Sequence, residues 1–171
     1  MDLSRIYCCK NKKYSIGTAA IIFTLRHPID LAKGATSVDQ LSNGRLILGI
    51  ATGDRPIEYP VYGRDFSRRD ILFMESLYDF RHLLYENFPK YDSVFGSLNG
   101  EVDLLPKPIS KKIPLFVTGY SRQTIEWIAE NSDGWLMYPR NIYLQQHIVN
   151  NWKAAVKKLE RILSLLHSLY I

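Results

Sequence analysis

Residues 113–138 read Ile113-Pro-Leu-Phe-Val-Thr-Gly-Tyr-Ser-Arg-Gln-Thr-Ile-Glu-Trp-Ile-Ala-Glu-Asn-Ser-Asp-Gly-Trp-Leu-Met-Tyr138, and this stretch decides the fold. The short apolar run at Leu115–Val117 follows a proline and is typical of a buried strand. Gly119 and Ser121 interrupt this run, and a helix with one apolar side follows. A second strand is predicted at Trp135–Tyr138. Two strands joined by one helix form a βαβ unit, so we expect parallel strands that are covered on both faces.

The turn at residues 119–124 is the candidate binding site of this unit. Gly119 would let a ligand approach the main chain, Ser121 would cap the helix, and Thr124 would lie in its first turn. Free N–H groups at a helix start, together with the helix dipole, attract anions such as phosphate. The same residues also suit a plain helix cap. The pattern alone therefore leaves both interpretations open.

Composition indicates an ordinary globular chain. With 171 residues, 46% hydrophobic and 23% charged, a single domain over residues 1–171 is expected. The chain has no apolar run of about 18 residues and no signal peptide, so we expect a cytoplasmic protein without a membrane segment. The net charge of +5 comes from Lys and Arg scattered among acids, which argues against nucleic-acid binding. The adjacent Cys8 and Cys9 predict reduced thiols and no metal site.

Strands and helices alternate along the chain. Strands are predicted at about Ser15–Phe23, Arg45–Ile50, Leu115–Thr118 and Trp135–Tyr138. Helices are predicted at Pro28–Leu41, Ser67–Asn87, after Ser121, and at Tyr143–Leu166, with the tail of another at Met1–Lys13. A long loop follows the second strand, a short hairpin is expected near Val94–Val102, and residues 168–171 are a candidate strand start. Right-handed crossovers would join these elements into one parallel sheet, either a TIM barrel or a doubly wound sheet.

Specific motifs favour the barrel. In chain order they are Ser15-Ile-Gly-Thr-Ala-Ala-Ile-Ile22, Leu25-Arg-His-Pro28, Asp39-Gln-Leu-Ser-Asn-Gly-Arg-Leu-Ile-Leu-Gly-Ile50, Tyr62-Gly63, Asp65-Phe66, Leu105-Pro-Lys-Pro108, Ile113–Gly119, Ser121–Ala129 and Asp133-Gly-Trp135. This series resembles bacterial luciferase and the luciferase-like flavin monooxygenases over most of residues 16–139. The resemblance implies an α/β fold that is a partial TIM (β/α)8 barrel, with about four parallel strands and covering helices. The strands would be the family's third to sixth. A complete barrel has about 250 residues, so a shortened form without the second-strand loop and its catalytic histidine is expected.

The resemblance also implies a cofactor site. FMN, or a deazaflavin in one branch of the family, would lie at the carboxyl ends of the strands. The implied cofactor-binding residues are Gly119, Ser121 and Thr124 at the phosphate, Arg69 or else Arg68 as its cation, Ala51, Thr52 and Arg55 beside the ring, and Ala19-Ala20 beneath it as a non-prolyl cis peptide. Arg55 has pairing with Asp54 as its alternative. His27 is the only catalytic candidate, and a capping or packing role is the alternative for a histidine that precedes proline.

The predicted activity is that of a flavin-dependent oxidoreductase acting on a small organic substrate with reduced flavin and oxygen, with a flavin reductase as a possible partner. Open sheet edges and exposed apolar area would favour a homo-oligomer. A non-catalytic flavin-binding or self-associating member of the family is the main alternative. A sugar-phosphate barrel enzyme is a third possibility, but it would need a catalytic Lys or carboxylate at a strand end, and none is obvious.

Overall fold

The computed structural model describes residues 13–109 and 112–169. Its strands are β1 (Ile16–Gly17), β2 (Ile21–Ile22), β3 (Leu46–Ala51), β4 (Lys90–Ser93), β5 (Gly96–Asn99), β6 (Leu115–Thr118) and β7 (Gly134–Leu136). Its helices are α1 (Pro28–Ser42), α2 (Glu58–Val61), α3 (Arg69–Tyr85), α4 (Ile125–Asn131) and α5 (Ile142–Leu169), with a 3-10 turn at Phe66–Arg68. The predicted helix tail at residues 1–13 and the two cysteines lie outside this part, apart from Lys13. No helix within it combines the length and the apolar character needed to cross a bilayer.

The sheet is parallel, as predicted. Its order is β1-β3-β6-β7, and β2 pairs with β3 further along the same edge as β1. Ile50 lies opposite Val117 across β3 and β6, and Phe116 lies opposite Gly134 across β6 and β7. The βαβ prediction for residues 113–138 is therefore confirmed.

Side chains alternate between a buried and a half-buried face of this sheet. On β3, Leu46, Leu48 and Ile50 are buried, whereas Ile47 and Ala51 are half-buried. The buried face packs against the apolar sides of two helices, with Leu31, Ala32, Ala35 and Val38 from α1 and Phe73, Leu77, Phe80, Leu83 and Leu84 from α3. Each fully buried Leu or Phe stabilises the fold by about 1.5–3 kcal/mol. These contacts place both helices on one side, as in the outer layer of a barrel.

The predicted first strand is divided in two. Residues 18–20 interrupt it, and a non-prolyl cis peptide joins Ala19 to Ala20, as the resemblance implied. Opposite this break, the Gly49 N–H donates to Thr18 Oγ1 (2.9 Å), and the same hydroxyl donates to the Gly49 carbonyl (3.0 Å). Gly49 is required for this approach, because a Cβ there would lie 2.0 Å from the Thr18 carbonyl oxygen. The Thr18 side chain thus supplies the ladder hydrogen bonds that the interrupted main chain cannot.

We predict that Thr18→Val lowers the free energy of unfolding by about 1–3 kcal/mol, because the buried N–H and C=O of Gly49 both lose their partner. Thr18→Ser keeps the hydroxyl and serves as the matched control. Urea unfolding of both variants measures the difference. Equal losses for Val and Ser would show that the hydroxyl does not hold the break.

Several element boundaries differ from the prediction. The hairpin lies at Lys90–Asn99, upstream of the expected position, and α3 ends at Tyr85. The candidate strand start at Ser168 is wrong for the described residues, because α5 continues through Leu169. Helix α1 begins at Pro28 as expected and ends at Ser42, and the next residue, Asn43, has a left-handed conformation (φ 58°).

A buried carboxyl group connects the β4–β5 hairpin to α3. Asp79 is fully buried, and Ser93 Oγ donates to its Oδ2 atom (2.5 Å), whereas Oδ1 has no partner in the described residues. Glu75 Oε2 accepts the Val94 N–H nearby (3.1 Å). Burial raises the pKa of Asp79, and the hydrogen bond from Ser93 opposes this effect. The folded state therefore holds the Asp79 proton more tightly than the unfolded chain does.

The raised pKa of Asp79 predicts that its contribution to stability falls as pH rises from about 4 through the folded pKa. Asp79→Asn stays neutral, so relative to the wild type it gains stability across this range. Urea unfolding at several pH values between 4 and 8 checks this prediction. Asp92→Asn makes the same charge change on an exposed residue and is the control. Parallel pH profiles for wild type and Asp79→Asn would contradict the prediction.

Candidate functional site

A cleft of ≈ 300 Å³ lies at the carboxyl ends of β2, β3, β6 and β7. Parallel α/β proteins bind ligands at this edge of the sheet. The cleft is lined by Ala20, Ile22, Ala51, Thr52, Gly53, Asp54, Thr118, Gly119, Tyr120, Ser121 and Tyr138. It therefore brings together five of the predicted cofactor residues: Ala20, Ala51, Thr52, Gly119 and Ser121. The others, together with the catalytic candidate, do not line it: Ala19, Arg55, Arg69, Thr124 and His27.

The turn after β6 has an unusual backbone. Gly119, Ser121 and Arg122 all have left-handed conformations, with φ of 60°, 45° and 62°. For the two non-glycine residues this conformation costs about 1–3 kcal/mol each and requires external support. The Gly119 N–H donates to the Leu136 carbonyl (2.7 Å), and Trp135 Nε1 donates to the Gly119 carbonyl (2.5 Å). The turn is therefore anchored on β7 at its first residue.

The same turn offers main-chain donors. The N–H groups of Tyr120, Ser121 and Arg122 have no acceptor within the described part of the chain. Three successive free N–H groups beside a cleft attract an anion. An anion at this turn would thus be held by main-chain donors.

The helix-capping roles of Ser121 and Thr124 differ from those predicted. Thr124 Oγ1 accepts the Trp127 N–H (3.1 Å), so Thr124 is the N-cap of α4 and Ser121 is not. Ser121 Oγ, which is buried, accepts the Thr52 N–H (3.3 Å) and donates to the Thr118 carbonyl (3.0 Å). The Ser121 hydroxyl therefore connects the turn after β6 to the end of β3.

Thr52 is held on its carbonyl side as well. Its oxygen accepts from Thr24 Oγ1 (2.6 Å) and from the Tyr59 hydroxyl (2.6 Å), and these two hydroxyls lie 2.9 Å apart. All three residues are buried. Burial raises the pKa of Tyr59, which the hydrogen bond with Thr24 and the charge of Arg69 oppose. Tyr59 is therefore a neutral donor at physiological pH.

Sequence analysis missed Thr24 and Tyr59. Thr24 follows the apolar run of the first strand, and Tyr59 lies in the long loop after β3. They are 35 residues apart, so no local spacing connects them. A polar residue directly after a buried strand was the one available signal.

A double-mutant cycle tests this arrangement. Tyr59→Phe and Thr24→Val each remove one donor, and the remaining hydroxyl still serves the Thr52 carbonyl, so each change is expected to cost about 0.5–1.5 kcal/mol. The double variant leaves that buried carbonyl unpaired, and its loss should exceed the sum by about 1 kcal/mol. Urea unfolding of the four proteins measures the coupling. Strict additivity would show that the two hydroxyls act independently.

The two predicted arginines occupy different surroundings. Arg55 pairs with Glu58 (3.4 Å) and not with Asp54, and its side chain is 75% exposed. Arg69 is half-buried, stacks on the Phe66 ring (3.8 Å) and donates to the Phe66 carbonyl (2.8 Å). Its charge acts on the Tyr59 phenol. Of the two, Arg69 is the one held beside the residues that position the cleft.

The start of α3 also contacts the turn after β6. Gln123, which follows the left-handed residues, donates from Nε2 to the Asp70 carbonyl (3.2 Å). Arg68 precedes α3 and is exposed, whereas Arg69 begins the helix. The geometry therefore favours Arg69 over Arg68 as a cation near this turn.

His27 has a structural position. Its Nδ1 accepts the Ile29 N–H (3.2 Å) and caps α1, and its Nε2 lies 2.8 Å from the Phe95 carbonyl, to which it donates. Both ring nitrogens are thus engaged, and the ring connects α1 to the hairpin. The structure supports the capping and packing alternative for this residue.

Two of the three tryptophans lie behind the turn. Trp135 packs edge-on against Tyr120 (5.3 Å between ring centroids) and stacks at a tilt on Trp152 of α5 (5.5 Å). Helix α5 therefore supports β7 and, through Trp135, the Gly119 carbonyl.

Comparison with known proteins identifies relatives of this chain. Residues 12–166 match the family model described as Luciferase-like monooxygenase. An uncharacterised protein of Mycobacterium tuberculosis is 30% identical over 144 residues, which are 82% of this chain and 51% of that protein. The alkanal monooxygenase alpha chain of Photorhabdus luminescens is 31% identical over 122 residues, 70% of this chain and 33% of the relative. The chain thus spans about half, or less, of the curated relatives it matches.

Solved structures share its fold. Monooxygenase RslO1 from Streptomyces bottropensis superposes with a TM-score of 0.82 at 19% identity, over 92% of this chain and 49% of that one. The oxygenating constituent of 3,6-diketocamphane monooxygenase from Pseudomonas putida, solved with FMN, superposes with a TM-score of 0.75 at 18% identity. The match covers 91% of this chain and 47% of that one. An F420-dependent secondary alcohol dehydrogenase, solved with an F420–acetone adduct, superposes with a TM-score of 0.71 at 17% identity. The match covers 90% of this chain and 47% of that one. These similarities confirm the predicted fold, an α/β partial TIM barrel.

Proposed function

The chain belongs to the luciferase-like monooxygenase family, and from this premise we propose that it is a flavin-dependent oxidoreductase. It would bind FMN, with a deazaflavin as the alternative, and act with reduced flavin and oxygen on a small organic substrate. The observation that carries this proposal is the turn at Gly119–Arg122. Tyr120 and Ser121, whose N–H groups are free, line a cleft at the carboxyl ends of the strands, and the free N–H of Arg122 follows them.

The residues of the cleft fit a flavin nucleotide. The N–H groups of Tyr120, Ser121 and Arg122 would hold the terminal phosphate, and Arg69 would balance its charge from the start of α3. Ala20 and Ala51 also line the cleft. Because neither side chain extends beyond Cβ, a flat ring system can lie against the strands there. The lining thus combines main-chain donors that suit a phosphate with small apolar side chains that suit a flat ring.

The contribution of the protein would be binding, orientation and exclusion of water. Reduced flavin, when bound, supplies the two electrons with which dioxygen transfers one oxygen atom to the substrate and releases the other as water. Thr52 borders the cleft, and hydrogen bonds fix its main chain. Ser121 accepts from its N–H, and Tyr59 and Thr24 donate to its carbonyl. A fixed wall holds the cofactor in one orientation without reorganisation during the reaction.

One observation favours the non-catalytic alternative. The titratable residues among those that line the cleft are Asp54, Tyr120 and Tyr138. His27, the predicted catalytic candidate, is engaged at both nitrogens away from the cleft. A flavin-binding protein without turnover therefore stays the second candidate function.

Flavin titration tests the proposal. We expect saturable quenching of FMN fluorescence on addition of protein, and weaker binding of riboflavin, which lacks the phosphate. Arg69→Gln should weaken FMN binding by roughly 10- to 100-fold, since a charge-assisted hydrogen bond contributes about 1.5–3 kcal/mol. Riboflavin binding should change little in the same variant.

Arg68→Gln removes the same charge from the adjacent exposed residue and is the control. If FMN shows no saturable binding, the flavin role is wrong. Oxygen consumption with reduced FMN, measured separately, distinguishes the enzyme from the non-catalytic alternative.

We propose two partners for this chain, a second copy of itself and a flavin reductase. A second copy of the chain would cover the inner face of the sheet, where Ile47, Phe116 and Leu136 are half-buried. A flavin reductase would be needed only by the catalytic form, as the source of reduced flavin.

A further inference from the structure

A second cleft, of ≈ 390 Å³, adjoins the first. Ala20 and Ile22 line both clefts, so an occupant of the second would lie next to the part of the first that these two residues form. Its remaining lining comes from the end of β2 and the chain after it, and from α2 and its end: Ile21, Leu25, Arg26, Glu58, Val61 and Tyr62.

The walls of this second cleft include several large apolar side chains. Ile22 and Leu25 form one side, and Val61 and Tyr62 form the other. Val61 is 80% exposed and the neighbouring Ile57 is 81% exposed, although both are large apolar side chains. Concave surfaces that expose such groups beside a few polar ones are typical of sites for organic ligands.

The second cleft is lined by two charged side chains, Glu58 and Arg26, and only Glu58 has a partner among the described residues. Glu58 is paired with Arg55 outside the lining (3.4 Å). The Arg26 guanidinium has no hydrogen bond or ion pair with any described residue, and only its main-chain N–H is bonded, to the Phe23 carbonyl (3.2 Å). The second cleft therefore has one exposed positive charge without a partner among the described residues. A guanidinium binds a carboxylate with two parallel hydrogen bonds.

We propose that the second cleft is the substrate subsite and that its ligand is an apolar organic acid. The hydrocarbon part would lie against Ile22, Leu25 and Val61, and the carboxylate would pair with Arg26. The assignment of this ligand as substrate rests on the proposed flavin function, because the shared residues Ala20 and Ile22 place it next to the proposed ring position.

Calorimetric titration with octanoate and 4-phenylbutyrate tests the subsite, with 1-octanol and 4-phenyl-1-butanol as uncharged analogues. At least one acid should bind with 1:1 stoichiometry and at least tenfold more tightly than its alcohol. Arg26→Gln should abolish that preference, and Arg26→Lys should keep part of it.

Val61→Asp adds a negative charge on an exposed residue and should weaken acid binding by a second route. Arg140→Gln removes an exposed arginine outside both clefts and should change nothing.

FMN titration of the same variants separates the two proposals. Unchanged FMN affinity in Arg26→Gln, together with loss of acid binding, supports the subsite. If neither acid shows an Arg26-dependent preference while FMN binds, the subsite is wrong and the flavin function stands. If an acid binds through Arg26 but FMN does not bind, the organic-acid site stands and its assignment as a substrate subsite is overturned.

Discussion

The candidate site depends on how the main chain of one residue, Thr52, is held. Its N–H is bonded to the Ser121 hydroxyl, and its carbonyl accepts from Thr24 and Tyr59. These four residues come from the turn after β6, the end of β3, the chain after β2 and helix α2. A single set of buried hydrogen bonds therefore fixes the relative positions of three loops at one edge of the sheet. Buried networks of this kind are rigid because an unpaired member would be costly.

The sheet explains why these loops meet at all. Its strands are parallel, so their carboxyl ends lie at the same edge, and the cleft is at this edge. The helices pack on the buried face of the sheet. The interruption between β1 and β2 is tolerated because Thr18 and Gly49 complete the hydrogen bonding. It also brings Ala20 to the edge where the two clefts adjoin.

Much of the fold was predictable from periodicity and much of the site was not. The apolar run at Leu115–Val117 located a strand correctly, because its side chains are buried on one face and half-buried on the other, which leaves a continuous apolar signal. Thr124, and not Ser121, caps the helix, and sequence alone could not decide between them because both residue types cap helices. The left-handed backbone at residues 121 and 122 delays the start of the helix by about one turn. No residue-by-residue pattern reveals such a turn when non-glycine residues form it.

Sequence spacing did not predict the long-range contacts of the site, whereas the family resemblance did imply the cis peptide. The contact between Thr24 and Tyr59 joins distant positions, and spacing carries no information about it. Arg55 pairs with Glu58 because a short helix, α2, begins at that residue, which the polar loop sequence did not predict. The cis peptide at Ala19–Ala20, by contrast, followed from the family resemblance and is present. Apolar pattern thus located the strands, whereas hydrogen-bond partners required the three-dimensional structure.

The stacking of Trp135 on Trp152 has an optical consequence. Trp135 donates its indole N–H to the carbonyl of Gly119, the first residue of the turn. Indole emission responds to the loss or gain of such a hydrogen bond and to a nearby acceptor chromophore. The chain therefore carries an intrinsic reporter beside its own cleft, and an occupant there would be visible in the ultraviolet without any added label.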